Sequence, residues 1–162
     1  METSVVRRRL TDTIERAKKR AAERRGRADQ AQRDFELFLH KVAVPLCKQI
    51  AGVLKADGYP FTVFTPAASV RLMSDRSADD FIELSLETAE DPPRVMAHIS
   101  RARGGRVIDA ERPVGAPEAI TEEELLEFML KDWKPALVAI APEFRPVVRR
   151  KRCASATRNW AR

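Results

Sequence analysis

The spacing of apolar residues changes once along this chain, near Tyr59, and that change constrains the fold most. Before it, apolar residues recur every three or four positions, which is typical of helix. After it they alternate with polar residues, which is typical of strands with one buried face. A second helical pattern follows from residue 121. A helix, a run of strands and a helix together predict an α+β domain.

The first helical pattern follows a heptad. Its apolar positions are separated by alternating steps of four and three without a slip, and one of the ten is polar: Leu10, Ile14, Ala17, Ala21, Arg24, Ala28, Ala31, Phe35, Phe38 and Val42. Such a stripe either pairs with its twin in a homodimer or folds back on the chain's own sheet. The unbroken run favours pairing, and we predict self-association through Leu10, Ile14, Phe35 and Phe38.

Pro45 lies inside this helical pattern. It lacks a backbone donor and its ring clashes with the preceding turn, so it should kink or break the helix. Gly58 follows Asp57 as a left-handed cap and should end the helix.

Five strands are expected after Tyr59, over 61–64, 69–73, 81–87, 94–103 and 106–112, with a polar loop over 74–79. Gly104-Gly105 predicts a tight hairpin turn, since both residues tolerate positive φ. No connection has room for a helical crossover, so the strands should form an antiparallel meander. The face bearing Ile82, Leu84 and Leu86 should pack against Phe38, Val42, Ile50, Leu126, Met129 and Trp133.

The last helix has the most specific local signal in the chain. Thr121 and Glu124 have the spacing of a capping box, and Ile120 with Leu125 has that of a hydrophobic staple. Pro135 limits the regular helix to about residue 134. This helix should pack on the same face of the sheet as the first.

Charge divides the chain into three parts. Residues 1–33 hold eleven Lys and Arg against five Asp and Glu, residues 34–144 hold twelve against nineteen, and residues 145–162 hold seven against none. We therefore expect a basic helical arm (residues 1–33), an α+β core domain (34–141) and a basic, disordered tail (142–162).

Basic clusters without local acid point to a polyanionic partner. The candidates lie in the arm, at the Gly104-Gly105 hairpin tip and in the tail: Arg16, Lys18, Lys19, Arg20, Arg24, Arg25, Arg27, Arg101, Arg103, Arg106, Arg149, Arg150, Lys151 and Arg152. At the hairpin tip the side chains of Arg101 and Arg103 should point outward on one face. Solvated charges that keep an edge hairpin from aggregating are the alternative explanation there.

The chain offers few groups for chemistry. His40 and His98 have no second ligand at metal spacing, and Cys47 and Cys153 form no disulfide framework. The run Glu122–Glu124 is explained as a helix start. No uninterrupted apolar run approaches the ~20 residues of a membrane span. These patterns predict no catalytic, cofactor or metal site, no membrane partner and a cytoplasmic location.

The expected function is a non-enzymatic, homodimeric interaction module that presents basic segments to an acidic partner. A first alternative is a nucleic-acid-binding accessory protein that uses arm, hairpin tip and tail on the phosphate backbone. A second is an enzyme or small-ligand binder with a pocket between sheet and helices, near His98.

Overall fold

Helix, sheet and helix follow one another in the computed structural model, which describes residues 3–103 and 105–132. The helices are α1 (Thr3–Phe38), α2 (Val44–Ala56) and α3 (Glu122–Asp132). The strands are β1 (Phe61–Phe64), β2 (Ser69–Ser74), β3 (Ser77–Glu87), β4 (Arg94–Arg103) and β5 (Arg106–Gly115). They form one antiparallel sheet in chain order. The predicted α+β fold with a long N-terminal helix and a five-stranded meander is confirmed.

A π turn over Leu39–Ala43 joins α1 to α2. The Val44 N–H donates to the carbonyl of Leu39, five residues back, and Pro45 occupies the first turn of α2. A proline is tolerated there because its missing N–H needs no partner. The regular helix therefore ends before Pro45 rather than at it, and a π turn makes the transition in place of a loop.

The β2–β3 connection differs from the prediction. Residues 74–79 are not a loop, because β2 continues to Ser74, β3 starts at Ser77, and Asp75 and Arg76 alone form the turn. Ser77 opposes Ser74, and an irregularity in the register separates this pair from Met73 and Phe81. The Asp80 carboxylate accepts the Ala102 N–H at 2.7 Å. At the β4–β5 hairpin, Arg103 opposes Arg106 and Gly105 has φ +77°, as a two-residue turn requires.

One face of the sheet carries the core. Its inward side chains are almost fully buried: Val70, Leu72, Ile82, Leu84, Val95, Ala97 and Ile99. Seven buried side chains from the helical segments cover them: Phe35, Phe38, Ala43, Leu46, Cys47, Leu125 and Met129. Leu86, Val42, Ile50 and Leu126 pack at the margin of this cluster, and Trp133 lies outside the described residues.

The start of α3 has the predicted capping box. The Thr121 N–H donates to Glu124 Oε2 at 3.0 Å, and the Glu124 N–H donates to Thr121 Oγ1 at 3.3 Å. The hydrogen bonds from Thr121 hold the pKa of the Glu124 carboxyl below its ordinary value. Leu125, next along, is fully buried, so the cap fixes the point at which α3 begins to cover the sheet.

The helical stretch Thr3–Ala56 contains one 18-residue window that is long and apolar enough to cross a membrane by length and composition. Several of its apolar side chains, including Phe38, Leu46 and Cys47, pack against the sheet. Core helices pass the same criterion, so the window is weak evidence for a membrane span.

Candidate interaction surfaces: the basic arm and the open face of the sheet

Residues 3–20 of α1, here called the free segment, lie entirely exposed. The segment carries seven basic and two acidic side chains. Four of the predicted polyanion-binding residues are here: Arg16, Lys18, Lys19 and Arg20. Within the described residues, no basic side chain between Arg7 and Arg25 forms a salt bridge. Arg16 Nε donates to the backbone carbonyl of Asp12 at 3.1 Å, and these charges otherwise face solvent with no acidic partner in the described part of the chain.

The arm meets the sheet at the loop between β3 and β4. Arg27 donates to both carboxylate oxygens of Asp91, at 3.0 and 2.5 Å. The bond from Arg27 holds the pKa of the Asp91 carboxyl below its ordinary value, and Arg24 adds to the effect. A cleft of about 310 Å³ opens between the helix and this loop, lined by Ala21, Arg24, Arg25 and Ala28 on one side and residues 88–91 and Pro93 on the other.

The heptad stripe divides into two parts with different surroundings. Leu10 and Ile14 are 58% and 52% exposed. Phe35 and Phe38 stack on each other at 6.0 Å between ring centroids and are buried in the chain's own core. The C-terminal part of the stripe therefore folds back on the chain's own sheet. Neither phenylalanine has exposed surface with which to contact a second chain, so the predicted self-association through Phe35 and Phe38 is wrong. Self-association through Leu10 and Ile14 stays a prediction.

The basic hairpin tip lies far from the free segment. Loop 88–93 precedes β4 and the tip follows it, and ten strand residues separate the two by roughly 33 Å. Arg106 is exposed, whereas Arg101 lies on the same side of β4 as Ile99 and is half-buried. The expectation that Arg101 points outward is therefore wrong, because strand alternation carries it to the helix-covered side. Arg149, Arg150, Lys151 and Arg152 lie outside the described residues.

The other side of the sheet, here called the open face, carries a network that crosses four strands. Glu83 accepts hydrogen bonds from Ser69 Oγ at 2.6 Å and from Arg71 Nε at 3.1 Å. The Arg71 guanidinium lies 4.5 Å from the centroid of the Phe81 ring. The His98 ring meets Phe81 edge-on at 5.2 Å. Burial alone would raise the pKa of Glu83, but the hydrogen bonds from Ser69 and Arg71 hold it below its ordinary value.

His98 extends this network to β5. Its Nε2 lies 3.4 Å from Asp109 Oδ1, and its register partner on β5 is Glu111. The ring is therefore on the face opposite the helices, and the expected pocket between sheet and helices would not contain it. Between the two layers the side chains of Phe35, Leu72, Ile82 and Leu125 are fully buried.

Apolar side chains interrupt the polar network of the open face. Phe64 is 43% exposed, and Met73, Phe81 and Met96 are half-buried. The strand registers place Phe64 beside Arg71 and Met73 beside Phe81. Acidic residues outnumber arginines around them, with Glu83, Glu87, Asp109 and Glu111 against Arg71 and Arg94. The face is thus amphipathic and mildly acidic.

The described residues offer little to metal binding or to nucleophilic chemistry. In residues 3–103 and 105–132, no group of three His, Cys, Asp or Glu side chains is placed to hold a metal ion. Burial raises the pKa of the Cys47 thiol to about 12, so it stays protonated and unreactive near neutral pH. His40 is exposed on the π turn.

No family model, curated protein or solved structure matches this chain.

Sequence reasoning found the charged arm but missed the open face. The sequence shows that Arg71 and Glu83 point outward, yet not that they are neighbours, since neighbours across a sheet depend on strand register. The one available signal was a set of large or ionisable residues, Phe81 and His98 among them, at outward positions of adjacent strands.

Proposed function

We propose that this chain is a non-enzymatic protein-interaction module whose basic arm docks on an acidic, partly apolar surface of a partner protein. One observation carries the proposal: the free segment combines a row of exposed basic side chains, which form no salt bridge within the described residues, with an exposed apolar stripe, Val6, Leu10 and Ile14. A helix of this length without tertiary contacts is marginally stable in water, and burying its apolar face would stabilise it.

The same stripe favours a protein over a nucleic acid. Contacts to the phosphate backbone use basic and polar groups and leave aliphatic side chains idle. The hairpin tip also lies at the far end of β4 from the free segment, so the two do not form one basic surface. The charge of the remaining chain also disfavours binding to a polyanion, because residues 34–132 hold eighteen acidic and eleven basic residues.

The test is fluorescence anisotropy with two labelled probes, a helical peptide with Leu at the heptad a and d positions and Glu at e and g, and a DNA duplex. We expect binding to the peptide, weakened at least tenfold by K18E/K19E/R20E and separately by L10S/I14S. The matched control is K41E/K48E/K55E, which reverses three exposed lysines elsewhere on the helical stretch.

The two arm variants separate the possible outcomes. If duplex DNA binds more tightly than the peptide and L10S/I14S has no effect on it, the arm is a nucleic-acid-binding element and the proposal is wrong. If the peptide binds equally well to K18E/K19E/R20E and to the wild type, the arm is not the docking segment.

A further inference from the structure

We infer that the partner surface is the open face of a second copy of this chain, covered by the free segment. The inference rests on the proposed function, since it uses the same arm, and it names the occupant of both surfaces. Each surface has apolar side chains that no other element covers. The free segment is a helix with an exposed apolar stripe, and the open face has no helix from the described residues packed on it.

The apolar parts of the two surfaces match in kind. The stripe offers Leu10 and Ile14, and the open face offers Phe64, Met73 and Phe81. A helix laid on such a face would complete a three-layer arrangement with helices on both sides of the sheet. The free segment is also long enough to cross the sheet. Its eighteen helical residues span about 27 Å, and the five strands span about 19 Å from edge to edge.

Charge favours this pairing over pairing of two arms. The free segment is strongly basic, whereas the open face presents Glu87 at the end of β3, opposite Arg94, and Asp109 and Glu111 on the edge strand β5. Two arms side by side would bring seven basic residues against seven. Parallel pairing of two copies along the heptad would also place Arg24 of one copy against Arg24 of the other in the helix–helix interface. This contact between like charges would destabilise the dimer.

The chain's own geometry requires a second copy. Helix α1 is continuous from Thr3 to Phe38, and its C-terminal end packs on the opposite face of the sheet through Phe35 and Phe38. Arg27 fixes its position at Asp91, beyond which the free segment continues past the end of the sheet. It cannot reach its own open face without breaking the helix. Reciprocal exchange between two copies would cover both faces and close the assembly.

The test measures the mass of the full chain in solution by light scattering at tens of micromolar. We expect twice the chain mass of 18.3 kDa. Reversing charge on the arm (K18E/K19E/R20E) or on the open face (E87R/E111R) should lower the mass to that of one chain, and combining the two should restore the dimer. The control K41E/K48E/K55E should stay dimeric.

Other outcomes distinguish the inference from the proposed function. A monomeric wild type that still binds the acidic peptide overturns the inference and leaves the proposed function standing. A dimer that survives E87R/E111R places the interface elsewhere. A dimer that is lost in E87R/E111R but not rescued by the arm reversal shows that the open face meets something other than the arm. If arm reversal leaves peptide binding unchanged, the proposed function itself fails.

Discussion

Arg27 and Asp91 lie 64 residues apart in the chain and form a two-point hydrogen-bonded ion pair that ties helix α1 to the β3–β4 loop. Both side chains are partly exposed, at 50% and 39%. On the N-terminal side of the pair the helix has no ion pair to the sheet within the described residues, and on the other side it enters the core at Ala31. The pair thus marks where the arm leaves the domain.

Removing this pair should loosen the base of the arm without unfolding the domain. We predict that Asp91→Asn increases hydrogen exchange of the amides between Ala21 and Ala31 several-fold and leaves Tm unchanged, because solvent screens exposed ion pairs. Glu90→Gln is the matched control on the same loop, since its contact to Arg94 is long, at 4.0 Å. A fall in Tm with Asp91→Asn would show that the loop itself depends on the pair.

Glu83 should make stability depend on pH in the acidic range. Its pKa in the folded chain lies below the ordinary value of a glutamate carboxyl, so its contribution is complete above that ordinary value. As pH falls through the folded pKa, the carboxylate takes up a proton and the contribution is lost. We predict that Glu83→Gln lowers the free energy of unfolding by about 1.5–3 kcal/mol at pH 7, the range for hydrogen bonds to charged groups.

Urea unfolding at pH 7 and pH 3 measures this difference. The difference in free energy of unfolding between wild type and Glu83→Gln should narrow at pH 3. The control Glu118→Gln, at an exposed position outside the helices and strands, should differ little from wild type at either pH. A gap that stays the same at both pH values would mean that Gln disturbs packing and that the charge of Glu83 is not what stabilises the sheet.

Phe35 and Leu37 should respond oppositely to truncation although they are two residues apart. Phe35 is fully buried and Leu37 is 53% exposed. Phe35→Ala should lower the free energy of unfolding by about 3–5 kcal/mol, and Leu37→Ala by less than about 0.5 kcal/mol. Because Phe35→Ala could unfold the domain altogether, Phe35→Leu serves as a milder second variant. Equal effects at the two positions in denaturant titrations would contradict the burial described above.

The capping box should be measurable on its own. Thr121→Ala removes the acceptor for the Glu124 N–H and should cost about 1 kcal/mol. Thr65→Ala, at an exposed position outside the helices, is the control and should be near neutral. In thermal unfolding, Glu124→Ala added to Thr121→Ala should cost less than the sum of the two, since each residue bonds to the other. Strict additivity would show that the two do not act as a unit.

The sequence predicted correctly those helix ends and turns that depend on residues close together in the chain. The Thr121–Glu124 spacing located the start of α3, and the Gly104-Gly105 pair located the last hairpin. The extra residues of β3 were missed because Ser77–Asp80 offers no apolar alternation. Ser77 pairs with Ser74 across an irregularity in the register that the amino-acid pattern does not show.

The interaction surfaces were only partly predictable. The unpaired charge of the arm can be counted from the sequence. The fate of the heptad stripe could not be decided there, since Phe35 suits a partner helix and a sheet equally well. The contact of Arg71 with Phe81 and the approach of His98 to Asp109 depend on tertiary packing, which one sequence does not specify.

The π turn at Leu39–Ala43 also controls rotational phase. Each α-helical residue advances by about 100°, so a turn that accommodates one extra residue sets the direction in which α2 points relative to α1. If these five residues adopted regular α-helix at unchanged length, Leu46 and Cys47 would rotate away from the sheet by about that angle. Deleting one residue would instead let the α-helix run through with both side chains still facing the sheet, because the π turn takes up one residue more than an α turn. The π turn thus keeps the buried side chains of α2 in phase with those of α1.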